Sequence, residues 1–133
     1  MRFHVHDFQF QHMIDRKGAP EDPFFVSVNI YVSFSEHELA GGELQCFQIY
    51  ACNLSGKQAF NAKMLSSGDA PHPSELDPIA CFGTYDEAVI MQFLKENIEG
   101  LIGRNERELI MNAFQHFNWE GLNNPEQKRR FFK

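Results

Sequence analysis

Cysteine is scarce and widely spaced: Cys46, Cys52 and Cys81 are the only three in 133 residues, and no two stand in CxxC spacing. An odd set at such distances excludes a disulfide framework and a four-cysteine zinc site. Long apolar runs are missing too, none approaching the ~18 residues of a membrane helix. The start Met1-Arg2-Phe3-His4-Val5-His6-Asp7 leads into no apolar stretch of signal-peptide length. These absences lead to the expectation of a cytoplasmic protein in a reducing compartment, without a membrane partner. Glycine-rich phosphate cradles are absent as well, since neither GxGxxG nor a Walker-type GxxxxGK run occurs, and Gly41-Gly42 reads as a turn. No GxSxG elbow or family-type cysteine signature surrounds a candidate nucleophile, and all three cysteines read as small core residues.

Positive charge is also sparse. Residues 1–124 hold eight Lys and Arg against seventeen Asp and Glu, a body of −9, while residues 125–133 hold four against one, a tail of +3. An acidic body disfavours nucleic acid as a direct ligand, because phosphate binding depends on Lys and Arg displacing counterions. A basic protein partner suits it better, since complementary fields speed encounter and reject wrong partners.

What the chain does have is core material for a single domain: 43% hydrophobic residues and fourteen Phe, each aromatic able to bury roughly 150–250 Å². Phe24, Val26, Val28, Ile30, Val32 and Phe34 alternate with Ser27, Asn29, Tyr31 and Ser33, the period-two pattern of a strand buried on one face. Ahead of it Phe3 and Val5 are odd, whereas Phe8 and Phe10 are even. The inward face therefore changes phase near His6-Asp7, as a β-bulge requires. Gly18 to Pro23 and Gly41-Gly42 mark hairpin turns; Leu44 to Cys52 reads as a third strand and Ile79 to Phe82 as a short fourth. Between them the pattern weakens from Asn53 to Pro78, with Ser66 to Pro73 a long loop.

Two amphipathic helices follow. Thr84-Tyr85-Asp86-Glu87 and Asn105-Glu106-Arg107-Glu108 carry capping-box spacing. The first helix places Val89, Ile90, Phe93, Leu94, Ile98, Leu101 and Ile102 on its apolar side and ends at Gly103; the second buries Leu109, Ile110, Ala113, Phe114 and Phe117. Trp119 seals its end, and Gly121 with Asn123-Asn124-Pro125 reads as the stop. The expected fold is α+β: an antiparallel sheet of about four strands, then two antiparallel helices packed on one face. It occupies residues 1–124, with 125–133 a basic C-terminal tail that is either disordered or docked on the acidic body.

Candidate chemistry is thin. His4 and His6 share a strand face and, with His12, supply imidazoles for a metal, but a full ligand set at known spacing is missing. A small metal-binding protein or metalloenzyme using His4 and His6 is one alternative; an acidic secretion chaperone or adaptor, dimeric with an apolar exposed helix face, is another. Asp69, Glu75 and Asp77 lie close in sequence, but a solvated loop accounts for them better than acid–base catalysis does. No catalytic residue, metal ligand or cofactor is therefore assigned. The remaining feature is an acidic rim, Glu36, Glu38 and Glu43 around the second hairpin with Asp69, Glu75 and Asp77 in the long loop, suited to Lys or Arg on a protein partner.

The strand Phe25 to Val32, the strand Phe47-Gln48-Ile49-Tyr50-Ala51-Cys52, the lead Thr84-Tyr85-Asp86 and the helix pair closing on Asn118-Trp119-Glu120 together resemble immunity protein eight, a family of bacterial polymorphic-toxin and contact-dependent growth inhibition systems. The resemblance spans roughly Phe24 to Glu120. It implies a non-enzymatic cytoplasmic inhibitor, monomeric or weakly dimeric, that binds and neutralises the C-terminal domain of a cognate toxin. Many toxins of such systems are basic nucleases, which the acidic body would capture quickly.

Overall fold

The structure, a computed structural model, describes residues 1–16, 18–34, 44–68 and 79–131. Strands β1 (His4–His12), β2 (Phe25–Ser33) and β3 (Gln45–Cys52) form an antiparallel meander. Helix α1 (Leu54–Ser67) leads to β4 (Ile79–Cys81), which pairs parallel to β3. Helices α2 (Glu87–Glu99) and α3 (Glu106–Phe114) come next, followed by β5 (Asn118–Trp119), a 3-10 helix (Glu120–Asn123) and α4 (Pro125–Phe131). The strand order is β1-β2-β3-β4, and β5 pairs antiparallel with β3 as well. β3 thus carries two partners on its outer side, β4 along Tyr50 to Cys52 and β5 at Phe47 and Gln48.

The α+β class stands, but the sheet is mixed, and α1 and α4 accompany the expected helix pair. β4 runs parallel because a helix intervenes between it and β3; parallel neighbours require a crossover, whereas a tight hairpin would have reversed the chain.

β2 shows how the sequence pattern becomes a layer. Val26, Val28, Ile30 and Val32 are fully buried and form one core with Phe47, Ile49 and Ala51 of β3 and with Ile90, Leu94, Ile98, Leu109, Ile110 and Ala113 of the helices. Each Val, Ile, Leu and Phe among them contributes about 1.5–3 kcal/mol on full burial. The register of β1 slips between Val5, opposite Val32, and Asp7, opposite Tyr31, which leaves His6 as the extra residue. That bulge turns Val5, Phe8 and Phe10 toward the same core despite their change of parity. The edge strand is tied to the helical layer by Val5 N–H, which donates to Glu99 Oε2 at 2.9 Å.

Both expected helices are narrower than their apolar patterns. α2 begins after Asp86, whose carboxylate accepts from Ala88 and Val89 N–H, and it ends at Glu99 with Gly100 as cap. Val89 (55% exposed), Phe93 (46%) and Ile102 (60%) face outward. Gly103 sits in a tight approach: a Cβ there would lie 2.6 Å from Leu109 N. In α3, Asn105 caps Glu108 N–H, and Glu108 reaches back to Arg104 N–H and Nε; Phe114 points out.

The segment from Asn53, expected to be irregular, opens as α1. Asn53 is its cap and a buried hub: Oδ1 accepts from Gly56 N–H (2.8 Å), Phe24 N–H (3.1 Å) and Ser55 Oγ (3.3 Å), while Nδ2 donates to Asp22 O (3.0 Å). Gly56 lets α1 lie directly on the Phe24 backbone, and Phe60 stacks on Phe25 with centroids 4.2 Å apart. These residues build a second core with Ile14 and Cys52 on the sheet face opposite α2 and α3. The stop expected at Asn123-Asn124-Pro125 is a helix start instead: Asn124 Oδ1 accepts from Glu126 and Gln127 N–H, and Pro125 takes the first turn of α4.

Candidate binding surface

α1 covers only the end of the second sheet face where β2 begins and β3 ends. Beyond it the register of the meander aligns polar side chains in rows across the strands. Gln9 lies opposite Asn29, Asn29 opposite Gln48 and Gln48 opposite Asn118, an amide row crossing β1, β2, β3 and β5. A second row runs Asp7, Tyr31, Cys46, and a third runs Gln11, Ser27, Tyr50. Side chains of paired residues leave a sheet on the same side, so the rows form one contiguous patch.

Hydrogen bonds tie the rows together. Tyr31 OH donates to Gln9 Oε1 (3.0 Å), Gln48 Nε2 to Ser27 Oγ (3.2 Å) and Asn118 Nδ2 to Gln48 Oε1 (2.8 Å). Gln9 and Asp7 are exposed, whereas Asn29, Tyr31, Gln48, Tyr50 and Asn118 are half-buried. The patch is therefore accessible, and its middle is held in place by its own bonds.

Its electrostatics are acidic at the border and proton-retaining inside. Partial burial, the neighbouring Cys46 and the carboxylates of Glu120 and Asp7 all raise the Tyr31 phenol above its ordinary value. Burial first, then a hydrogen bond and charge repulsion from Glu120, push the Cys46 thiol up to about 12. A thiol in that state is a hydrogen-bond donor and a poor nucleophile. The patch offers neutral donors and acceptors between two carboxylates, an arrangement made for recognition more than for covalent chemistry. A small recess of about 140 Å³ beside Cys46, Glu120 and Gln127 marks one corner.

A separate cleft of about 380 Å³ opens on the other side of the sheet, beside Ile49 of β3, which lies between the stretches paired to β4 and β5. Ile79, Phe93, Leu101 and Phe117 make it largely apolar, with Asn97 and His116 at its wall. Its size falls within the roughly 300–1,000 Å³ of small-ligand pockets, but the Asn97 amide is committed to Phe93 O at 2.7 Å.

The candidate residues from the sequence fall differently. The acidic rim, Glu36, Glu38, Glu43, Asp69, Glu75 and Asp77, lies entirely outside the described residues. His6 Nε2 contacts Ser33 Oγ at 2.6 Å, and Ser33 lies opposite His4, so these two imidazoles share the polar side. His12 does not join them. It lies opposite the core residue Val26 and packs on Tyr85 at 5.2 Å, because the bulge at His6 inverts the strand's parity before His12 is reached. Among the described residues no group of three His, Cys, Asp or Glu comes together to hold a metal. Cys46 and Cys52 are buried as expected, but Cys81 is exposed, since β4 is an outer strand. No helix among the described residues is long and apolar enough to cross a membrane.

Comparison with family models, curated proteins and solved structures finds no match to this chain.

Proposed function

We propose that this chain is a protein-binding inhibitor whose open sheet face docks on a basic partner domain, and that it serves as an immunity protein binding and neutralising the C-terminal domain of a cognate toxin in the cytoplasm. The observation that carries this reading is the amide row Gln9, Asn29, Gln48, Asn118, set beside Tyr31 and bordered by Asp7 and Glu120. Tyrosine at the centre of a pre-ordered polar patch is the composition of an interaction hot spot. The acidic border, within a body of net −9 over residues 1–124, supplies steering toward a basic domain and repels nucleic acid. On this reading the chain catalyses nothing and carries no cofactor; it works as a monomer or weak dimer by covering the toxin's active site or a surface next to it.

The test begins with the neighbouring gene. An open reading frame immediately upstream should encode a toxin C-terminal region. Cells expressing that region should survive only when this chain is co-expressed, and the purified pair should bind in titration calorimetry with affinity that falls as salt rises. An unrelated metabolic operon, or co-expression that gives no protection, sinks the proposal. Charge reversal at Asp7 and Glu120, compared with reversal at Glu36, Glu38, Glu43, Asp69, Glu75 and Asp77, locates the contact.

One observation favours a second reading, the secretion chaperone or adaptor. Val89 and Phe93, one turn apart on α2, are 55% and 46% exposed, and Met111 and Phe114 of α3 are 45% and 42% exposed. Exposed apolar helix residues suit a dimer or a bound apolar segment. Light scattering at micromolar concentration separates the two: a stable homodimer supports the chaperone, and a monomer supports the inhibitor.

A further inference from the structure

We propose that Cys52 and Cys81 form a redox-active dithiol that closes to an intramolecular disulfide when a small-molecule disulfide, such as glutathione disulfide, is present. β3 and β4 run parallel and in register through Tyr50 and Ile79, Ala51 and Ala80, and Cys52 and Cys81. Neighbouring strands lie about 4.8 Å apart and paired side chains share a face; a disulfide spans Cα separations of roughly 4.4–6.8 Å, so the register puts the two positions within bridging distance. The Cys81 side chain is one of the neighbours that raise the Cys52 thiol, after burial. Phe82 N–H donates to Cys52 O at 2.9 Å and continues the ladder past the pair. Cys46, at the far end of β3 opposite Tyr31, is out of reach of both.

The two sulfurs have unequal access, as a dithiol that reacts in two steps requires. Cys81 is exposed, whereas Cys52 is fully buried among Phe25, Phe60 and Ile14. The Cys81 thiolate attacks one sulfur of glutathione disulfide, forming a mixed disulfide and releasing one glutathione thiolate. Cys52 then gives up its proton to solvent, its sulfur attacks Cys81 Sγ, and the second glutathione leaves. Two protein thiols are oxidised to one disulfide, and one glutathione disulfide is reduced to two glutathiones. Burial and, after it, the neighbouring Cys81 push the Cys52 thiol up to about 12, while Lys57 pulls it down. Capping Cys81 removes the charge contribution of that neighbour, so the second step is slow but open.

The bond would close the chain from Cys52 to Cys81, α1 included, into a covalent loop and fasten the three-residue strand β4. A closed loop restricts the unfolded chain and raises stability. The state of the dithiol would set how firmly this corner of the fold is held.

The experiment treats the full chain with excess glutathione disulfide, quenches in acid, alkylates the unfolded protein and reads intact mass and peptide map. The expected product is lighter than the reduced chain by two hydrogen atoms, with one alkylatable thiol at Cys46 and a cross-link joining the Cys52 and Cys81 peptides. Its unfolding midpoint should rise by roughly 5–10 °C. Cys81→Ser should block the reaction, and Cys52→Ala should stop it at glutathione bound to Cys81. A wild-type chain that halts at the mixed disulfide, dimerises through Cys81 or cross-links Cys46 overturns the proposal. The wild-type map decides this even if Cys52→Ala fails to fold.

Discussion

Asn118 donates through Nδ2 to Gln48 Oε1 at 2.8 Å, and the polar face built by the first three strands is thereby extended onto the two-residue strand β5, which pairs with β3. Without it the amide row would end at β3. If the face is the partner surface, Tyr31→Ala should weaken binding by about tenfold or more, since tyrosines at the centre of ordered patches carry much of an interface's energy. Tyr31→Phe, which keeps the ring and drops the bond to Gln9, should weaken it less. Lys95→Ala on the outer side of α2 should leave affinity unchanged. Calorimetry with the partner domain checks all three; equal effects at Tyr31 and Lys95 would count against the face.

Gly56 of α1 packs directly on the backbone of Phe24, the residue that leads into β2. A Cβ on Gly56 would stand 1.8 Å from Phe24 O and 2.4 Å from its carbonyl carbon. Backbone cannot swing aside as a side-chain tip can, so Gly56→Ala should cost more than about 3 kcal/mol, at the upper end of single-substitution effects. Gly68→Ala makes the control. Its φ of +77° is strained for alanine, but nothing lies within 4 Å, so about 1 kcal/mol is expected. Urea denaturation measures both, and similar costs at the two sites would show that α1 does not rest on Phe24 as described.

Asn53 joins three parts of the chain through one buried amide, and its removal should cost more than an ordinary cap. Asn53→Ala strands Phe24 N–H, Gly56 N–H and Asp22 O at once. A cap alone is worth about 1 kcal/mol, and buried unsatisfied groups cost roughly 1–3 kcal/mol each before relaxation. The expected loss is about 2–4 kcal/mol. Asn53→Asp keeps the acceptor, loses the donor to Asp22 O and adds a buried charge that the Phe24 and Gly56 N–H groups partly offset, so it should fall in between. Chemical denaturation of the two variants gives the order, and an alanine loss below that of the aspartate would contradict it.

Much of this fold was legible because its first half obeys a simple period. The alternation from Phe24 to Phe34 and the parity change at His6-Asp7 are local patterns, and strand β2 and the bulge follow from them. α1 was hidden for the opposite reason. Its buried residues are Gly56 and Phe60, while Leu54 and Leu65 are 72% and 73% exposed, so no apolar stripe marks it. Its caps, Asn53 and Gly68, are visible letters that without a stripe also read as loop. Asn124-Pro125 is ambiguous in the same way, since the pair that stops one helix also starts another. The candidate surface was half legible. Ser27, Asn29, Tyr31, Gln48 and Tyr50 were readable as outward positions, but their alignment into rows depends on cross-strand register and on β5.

The buried thiols predict how stability changes in alkali. In the unfolded chain a cysteine ionises near its ordinary 9.0, whereas in the fold burial first, then Glu120 at Cys46 and Cys81 at Cys52, holds the proton up to about 12. Both folded values are raised, so the stabilisation is complete below about pH 9 and is lost as pH climbs toward 12, where the unfolded chain binds fewer protons. Each thiol contributes a slope of up to about 1.4 kcal/mol per pH unit in that window. The Tyr31 and Tyr85 phenols, also raised from 10.0, steepen the loss above that pH. Urea midpoints should therefore fall between about pH 9 and 11. Cys46→Ala should take away one thiol's share of the slope. In the Cys52–Cys81 disulfide form the share of Cys52 should vanish as well, because a disulfide sulfur has no proton to lose. A stability that stays flat across this range in the reduced wild type would mean that neither thiol is held protonated by the fold.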